Sequence, residues 1–200
     1  MPPDALILAF DTSAAHCAAA VLRGDQVQGS VTELMDKGQA ERLVPMLEGL
    51  LADCGATWRD LSAIAVGTGP GNFTGVRIGV ATARGLSLGL GVPAIGVTRF
   101  EALAEGLPRP VTVMLDARRD EVYVQCFTLT GAAPARVAPT NAPGALLGPT
   151  AGDRSPDRLA VATGRVAASR LAQPQPRPAP FYLRRADAAP ASDTGPVILP

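Results

Sequence analysis

The feature that most constrains the fold of this chain is a glycine-rich run between residues 67 and 77. The run reads Gly-Thr-Gly-Pro-Gly-Asn-Phe-Thr-Gly-Val-Arg and places four glycines within nine residues. An apolar run, Ala63–Val66, precedes it and a Gly/Ala-rich helical pattern follows it, so the segment is interpreted as strand, glycine loop and helix start. Such a loop either cradles a phosphate with its backbone N–H groups or lets two backbone segments approach closely.

The composition is that of an ordinary globular protein, with 47% hydrophobic residues and a formal net charge of zero over 200 residues. It excludes a disordered chain, and the total charge gives no indication of nucleic-acid binding. Three separated cysteines without a Cys-x-x-Cys pair favour a reducing compartment and argue against disulfides and zinc. The N-terminus lacks the charged region of a signal peptide, and arginines interrupt the longest apolar stretch. We therefore expect a cytoplasmic protein with no membrane span and no metal ligands.

One region is locally basic. Seven arginines fall between Arg154 and Arg185, where Asp157 is the only acidic residue. An excess of this kind can meet phosphates, but a solvated arginine-rich surface is the more common interpretation, and we favour it.

The first half of the chain predicts an α/β domain spanning residues 1–106. Three strands in an antiparallel meander come first, and helices and strands then alternate. The resulting order, β-β-β-α-β-α-β-α, is the ribonuclease-H-like order of a mixed sheet flanked by helices. The predicted strands are Ala5–Phe10, Cys17–Leu22, Gln26–Thr32, Ala63–Val66 and Pro93–Val97, and the predicted helices are Gln39–Cys54, Thr74–Leu90 and Arg99–Glu105.

The second half predicts a shortened copy of the same domain, spanning residues 107–200. A linker, Gly106–Pro110, is followed by a strand over Val111–Leu115 and by its partner over Glu121–Leu129. A later strand is predicted at Leu159–Thr163. We expect the Pro-rich stretch Gln173–Pro180 to be extended and residues 188–200 to be frayed.

The end of the first strand offers one candidate phosphate site. Asp11 could orient water or Mg²⁺, and the hydroxyls of Thr12 and Ser13 could face phosphate oxygens. A turn in which Asp and Ser bond their own backbone is the alternative, and the residues alone favour it. The full candidate anion or nucleotide set is Asp11, Thr12, Gly69, Gly71 and Thr74.

A second acidic residue at a strand end, Asp116, opens the hairpin between the predicted strands of the second half. A nucleotide-binding hairpin needs glycines there, so that backbone N–H groups can wrap the phosphates. This chain has arginines instead, and we expect Arg118 to pair with Asp116 or Glu121 or to reach an acidic group of a partner. Arg77 is taken as a further structural or partner-facing polar residue.

Small residues recur every four positions along the helix that follows the glycine run. Each glycine costs about 1 kcal/mol in a helix interior, so the series needs a packing reason, and a helix–helix contact is the simplest. That contact is either inside the domain or between subunits. The candidate interface residues are Leu43, Leu47, Leu50, Val76, Gly79, Val80 and Ala83.

Catalytic candidates are weak. His16 is the only histidine, so there is no His cluster for zinc and no evident Ser/His/Asp set. A lone His at the start of a strand is usually structural, and Ser13 has no obvious base partner in the sequence.

Five motifs together resemble a known family, the bacterial TsaB (YeaZ) family. They are Ile-Leu-Ala-Phe-Asp-Thr-Ser at 7–13, Glu-Arg-Leu-Val-Pro-Met at 41–46, the glycine run extended to 67–79, Leu-Asp-Ala-Arg-Arg-Asp-Glu-Val-Tyr at 115–123 and Pro-Phe-Tyr-Leu-Arg at 180–184. Their order and spacing match over residues 5–127, and the last motif matches near the C-terminus.

The resemblance implies two ribonuclease-H-like halves of the actin/Hsp70/sugar-kinase type, with the second half truncated. It implies a non-catalytic subunit in the synthesis of N6-threonylcarbamoyladenosine in tRNA, which pairs with the transferase TsaD, supports the ATPase TsaE and meets tRNA only indirectly. The helical pairing surface would also self-associate into a homodimer when TsaD is absent. No cofactor is expected for the chain itself, with ATP and Mg²⁺ entering only at the level of the complex. The alternatives are an ATP-binding phosphotransferase or ATPase of the same superfamily and, ranked last, a peptidase.

Overall fold

The computed structural model describes residues 4–141, 150–151 and 155–183. The first half contains strands β1 (Leu6–Asp11), β2 (His16–Arg23), β3 (Gln26–Leu34), β4 (Ala63–Gly67) and β5 (Ala94–Val97), with helices α1 (Gln39–Asp53), α2 (Phe73–Leu90) and α3 (Arg99–Ala104). A short 3-10 turn spans Trp58–Asp60. Each element predicted for residues 1–106 is present with its ends within two residues, so the predicted element order is confirmed.

These strands form one mixed sheet in the order β3-β2-β1-β4-β5. β1, β2 and β3 run antiparallel, whereas β4 lies parallel to β1 and β5 lies parallel to β4. The carboxyl ends of parallel strands meet at one edge of a sheet, which is where α/β proteins place their functional groups. Asp11 at the end of β1 and Gly67 at the end of β4 therefore lie side by side.

Each face of this sheet is covered by helices. α1 and α2 cover one face, where Leu8, Phe10 and Val21 of the sheet pack against Leu43, Leu47 and other apolar residues of α1. The opposite face packs against α3 and α4 (Pro156–Arg170). The apolar side chains are buried against the sheet because strand residues alternate between its two faces.

The second half forms a smaller sheet from β6 (Val111–Asp116), β7 (Glu121–Thr128), β8 (Gly131–Ala132), β9 (Arg136–Pro139) and β10 (Thr150–Ala151). β6 pairs antiparallel with β7, and β10 lies parallel to β6. This repeats the pairing of β1 with β2 and with β4, as the predicted duplicated fold requires. The predicted strand ends in this half, at Leu115 and Leu129, are correct to within one residue.

The prediction of a strand at Leu159–Thr163 is wrong, because these residues lie inside α4. The helix packs its small residues on the first sheet, and a Cβ at Gly164 would lie 2.4 Å from Cδ1 of Leu22. Residues expected in the second domain are thereby part of the core of the first. The expected fraying of residues 188–200 lies outside the described residues.

Candidate functional site

The glycine loop packs directly on the turn that follows β1. A Cβ added at Gly71 would lie 2.2 Å from the carbonyl oxygen of Ser13, and one at Gly75 would lie 1.9 Å from that of Thr12. A Cβ at Gly67 would lie 1.8 Å from Oδ2 of Asp11. Real Cβ atoms do not approach other atoms so closely, so the glycines allow two backbone segments to touch.

Asp11 is the centre of a buried hydrogen-bond network at this contact. Its Oδ1 accepts hydrogen bonds from the Ser13 backbone N–H at 2.8 Å and from the Ser13 hydroxyl at 2.7 Å. Nε2 of His16 lies 3.0 Å from the same oxygen. Because an ionised carboxylate can only accept, His16 donates in this pair. This is the local turn arrangement that the residues favoured, in which Asp11 bonds the backbone and the hydroxyl of Ser13, and His16 belongs to the same buried network.

The pKa of Asp11 reflects two opposing effects. Burial raises the pKa of this carboxyl, but the hydrogen bonds from His16 and Ser13 and the charge of His16 together lower it below its ordinary value. The carboxylate is therefore held ionised inside the protein by donors from its own chain.

Asp11 and Thr12, two of the candidate phosphate-site residues, are engaged within the chain. Both side chains are buried, and the Thr12 hydroxyl donates to the carbonyl oxygen of Gly75 at 2.7 Å. A metal-bound phosphate at these groups would require the network to be dismantled.

Two N–H groups at the N-terminus of α2 are hydrogen-bonded within the chain. The N–H of Asn72 donates to the carbonyl oxygen of Ser13 at 2.6 Å, and the Asn72 side chain accepts from the N–H of Gly75 at 2.9 Å. These are the kinds of donor that an anion at a helix N-terminus would use. Gly69 is buried, whereas Gly71 and Thr74 are exposed at the surface of the loop.

The structure also corrects the choice of interface residues, all of which are buried within the chain. Leu43 and Leu47 pack against the sheet with Ala83, and a Cβ at Gly79 would lie 2.7 Å from Oγ1 of Thr12. The periodicity located the apolar side of each helix, and that side covers the sheet. The buried set is Leu43, Leu47, Leu50, Val76, Gly79, Val80 and Ala83. Val44, 40% exposed, lies on the outer side of α1.

Arg77 joins α2 to the C-terminal segment of the described chain. Its Nε donates to the hydroxyl of Tyr182 at 3.0 Å, and its guanidinium carbon lies 3.6 Å from the centre of the Phe73 ring. The Phe73 and Tyr182 rings stack with their centres 5.2 Å apart. The residue pattern predicted only a structural or partner-facing polar role for Arg77. The i, i+4 spacing of Phe73 and Arg77 is the signal that could have paired these two residues.

The hairpin after Asp116 has an unusual backbone. Arg118, Arg119 and Asp120 all adopt left-handed conformations, with φ of 61°, 55° and 56°. Asp116 accepts a hydrogen bond from the backbone N–H of Arg118 at 2.8 Å, so these two residues contact each other through the main chain of Arg118. Non-glycine residues reach this conformation only at a cost in free energy, and three in succession mark a constrained turn.

The described residues also bear on metal binding and on membrane insertion. Within the described part of the chain, no group of three or more His, Cys, Asp or Glu side chains is placed to hold a metal ion. None of the described helices is long and apolar enough to cross a bilayer.

The sheet order and the closed glycine contact define a mixed α/β protein of the ribonuclease-H-like class, and comparisons with known proteins place it more narrowly. A family model described as "TsaD: tRNA N6-adenosine threonylcarbamoyltransferase" matches residues 19–148. The solved structure of YeaZ from Pseudomonas aeruginosa superposes with a TM-score of 0.73 and 26% identity, covering 90% of this chain and all of that one. The chain belongs to the TsaB (YeaZ) family.

Two relatives illustrate the extent of the match. The tRNA threonylcarbamoyladenosine biosynthesis protein TsaB of Escherichia coli (strain K12) is 40% identical over 122 residues, which cover 58% of this chain and 52% of that protein. An uncharacterized protein of Mycobacterium tuberculosis (strain ATCC 25618 / H37Rv) is 35% identical over 199 residues, covering 92% of this chain and 94% of that protein. The chain thus aligns with about half the length of the named TsaB relatives it matches.

Proposed function

We propose that this protein is a non-catalytic subunit of the machinery that makes N6-threonylcarbamoyladenosine in tRNA. In this proposal it pairs with a TsaD-like transferase, supports a TsaE-like ATPase, and requires no cofactor of its own. The relatives named TsaB support the pathway, and the TsaD-like family model supports a relation to the transferase. The observation that carries the non-catalytic role is the closed contact between the glycine loop and the Asp11 turn.

That contact bears on nucleotide binding in particular. Asp11, Thr12 and the donors of Asn72 and Gly75 are engaged within the chain. The second strand-end acid, Asp116, opens a hairpin that carries two arginines where a nucleotide-binding hairpin needs glycines. Titration of the isolated protein with ATP and Mg²⁺ in a calorimeter is expected to give no micromolar binding, and such binding would favour the phosphotransferase or ATPase alternative.

The peptidase alternative meets a geometric obstacle. The Ser13 hydroxyl donates to Asp11, and His16 binds the same carboxylate oxygen. A serine nucleophile needs the histidine as its base partner. Here the acid lies between the two, and all three side chains are buried. This arrangement supports a structural role for the cluster.

We assign the pairing surface to the outer side of α1 and α2, in place of their buried side. Val44 on α1 is an exposed apolar residue of the kind that a helical interface would cover. The test is co-purification of TsaD with Val44→Glu. Val27→Glu on β3 is the matched control, because Val27 is 41% exposed and Val44 is 40% exposed.

Val44→Glu is expected to reduce TsaD recovery by at least about tenfold, since a buried unpaired carboxylate at an interface costs more than 1.4 kcal/mol. Val27→Glu should pair normally. Equal recovery of TsaD by both variants would show that this side of α1 is not the pairing surface. Formation of the modified nucleoside in a system reconstituted with TsaD and TsaE then tests whether pairing is needed for the reaction.

A further inference from the structure

A cavity lies between α3, the end of α4 and residues 175–181, which we call the strap. Its volume is about 410 Å³, which is within the range of small-molecule sites. Its walls come from segments that are far apart in the chain, because the turn after β4 and the end of β5 also contribute to them. The polar residues of the lining are Thr68, Thr98, Glu101, Arg170, Gln175 and Arg177.

The strap is held to the rest of the fold at both ends. The N–H of Phe181 donates to the carbonyl oxygen of Thr68 at 2.8 Å. At the other end, Nε2 of Gln175 donates to the carbonyl oxygen of Arg170 at 3.3 Å. Between these two contacts Pro178 is buried. The cavity is therefore bounded on every side by parts of the chain that are fixed in place.

The charged residues of the lining leave one excess positive charge. Glu101 and Arg170 form an ion pair, and their side chains remain 27% and 29% exposed. Arg177 is exposed and, among the residues that the structure describes, forms no hydrogen bond or ion pair. Two arginines and one glutamate are balanced by a ligand with a single negative charge. A carboxylate carries that charge at neutral pH, whereas a phosphate monoester carries about 1.5 to 2 negative charges.

The strap makes the other part of the lining apolar. Pro176, Pro178, Pro180 and Phe181 all border the cavity. Apolar surface of this kind favours contact with the hydrocarbon part of a ligand. The cavity thus suits a molecule that has an anionic end and an apolar body.

The strap also separates this cavity from a groove along α2. The groove is lined by Arg77, Arg84 and Leu88 among others, and Arg177 borders both spaces. Arg84 is therefore a matched arginine on the opposite side of the strap. A comparison of Arg84 with Arg177 can show on which side an anion binds.

We propose that the cavity under the strap binds a small organic carboxylate with an apolar body. Arg177 forms charge-assisted hydrogen bonds with the carboxylate, for which the planar guanidinium is suited. Arg170 donates to Gly96 and Glu101 and still has N–H donors left for the ligand, because a guanidinium has five. This inference goes beyond the proposed function and does not depend on it, since neither TsaD nor tRNA enters it.

The test compares three ligands that share one hydrocarbon chain and differ in their end group: hexanoate, hexylamine and hexyl phosphate. Each is titrated into the isotope-labelled full chain, and proton–nitrogen NMR spectra show which backbone amides shift. The amides of Gly96 and Thr98 report on the cavity, whereas that of Leu88 reports on the groove along α2. The variants are Arg177→Gln and its matched control Arg84→Gln, and thermal melts check that both are folded.

Hexanoate is expected to shift the amides of Gly96 and Thr98 in the wild type and equally in Arg84→Gln. It should bind Arg177→Gln at least about tenfold more weakly, because the carboxylate loses its main cationic partner. Hexylamine should leave these amides unchanged.

Three results would overturn the proposal. Equal binding of hexanoate to the wild type and to Arg177→Gln would show that the arginine does not hold the carboxylate. Weaker binding in Arg84→Gln, with shifts at Leu88, would place the anion in the groove along α2. Tighter binding of hexyl phosphate than of hexanoate would make the cavity a phosphate site.

Discussion

The glycines of α2 lie in two different environments along one helix. At Gly75 and Gly79 an added Cβ would meet atoms of Thr12 within 2.7 Å, so these positions must lack a side chain for the turn after β1 to pack. At Gly85 and Gly89 an added Cβ would meet nothing within 4 Å. The same residue type is thus required by packing on one side of the helix and left uncovered on the other.

This difference predicts opposite effects of the same substitution. Gly75→Ala is expected to lower the free energy of unfolding by about 2 kcal/mol or more, because the Thr12 carbonyl is backbone and cannot move aside freely. Gly85→Ala is expected to raise it by about 0.5–1 kcal/mol, because alanine loses less backbone entropy in a helix. Urea unfolding followed by circular dichroism measures both. Similar changes in the two variants would contradict the packing role of Gly75.

The Asp11 network predicts a specific dependence of stability on pH. The pKa of Asp11 is lower in the folded protein than the ordinary value of 3.8. Its contribution is therefore fully present above about pH 4 and is lost as the pH falls through the lower, folded value. Asp11→Asn should cost about 2 kcal/mol at neutral pH, since the hydrogen bonds no longer have a charged acceptor.

The measurement is urea unfolding of the wild type and of Asp11→Asn between pH 2 and 7. The difference between the two proteins should shrink as the pH falls below 4. Asp60 is a suitable control because it is exposed and its pKa is also lowered, chiefly by the hydrogen bond from the Thr57 side chain. A constant difference across the range would exclude a special role for the Asp11 carboxylate.

At the scale of elements, the segment from Pro178 to Phe181 lies along the edge of the first sheet and holds the glycine loop by a hydrogen bond. The N–H of Phe181 donates to the carbonyl oxygen of Thr68 at 2.8 Å, and its ring meets Phe100 edge-on with centres 6.4 Å apart. Pro178 lies beside Gly96 of β5, an edge strand. A proline there offers no N–H for further strand pairing, which protects the edge.

The two aromatic residues of this segment should therefore differ in importance. Phe181→Ala is expected to lower the free energy of unfolding by about 2–3 kcal/mol, because it removes a ring packed on the core. Tyr182→Phe keeps the stacking on Phe73 and removes only the exposed hydrogen bond from Arg77, so its cost should stay below about 1 kcal/mol. Hydrogen exchange of the amide of Phe181 is the local readout. Fast exchange at that amide in the wild type would show that the segment is not held in place.

At the scale of the whole molecule, the two sheets contribute side chains to one shared apolar cluster. One face of the first sheet, with Ile7 and Leu22, packs in the same apolar cluster as Val113 and Phe127 of the second sheet and Leu159 of α4. Because α4 comes after the second sheet in sequence but packs on the first, the first sheet is completed only by residues near the C-terminus. Residues from both sides of the predicted boundary at residue 106 thus pack in the same apolar cluster.

This arrangement predicts that residues 1–106 do not fold alone. Without α4 the face of the first sheet that holds Ile7 and Leu22 would be exposed to water, at a cost of about 25 cal/mol for each Å² of apolar surface. The fragment should show no cooperative urea transition and poor dispersion in a proton–nitrogen NMR spectrum, whereas the full chain should show both features of a folded protein. A cooperative transition in the fragment would contradict this expectation and support residues 1–106 as an independent domain.

Much of the first half could be predicted from the sequence because its signals are local. Alternating and helical periods located the strands and helices, and the glycine spacing indicated a close backbone approach. The pattern could not say which neighbour each side faced, since Leu43 and Val76 have the spacing of an interface as well as that of a core. In α4 the run Leu159–Thr163 is short and apolar, and periodicity alone does not separate a buried strand from a buried helix.

Sequence patterns were sufficient to predict the order of elements in the first half, the family and the need for small residues beside the glycine loop. The folded structure was needed to show that Asp11 is held by His16 and Ser13, that α4 packs on the first sheet, and that an arginine-lined groove lies along α2. The physical reason is distance along the chain. Periodicity and turn motifs depend on residues a few positions apart. Burial, hydrogen-bond partners and exposed surface depend on residues far apart in sequence, such as Thr12 and Gly75 or Arg84 and Arg177, which meet only when the chain is folded.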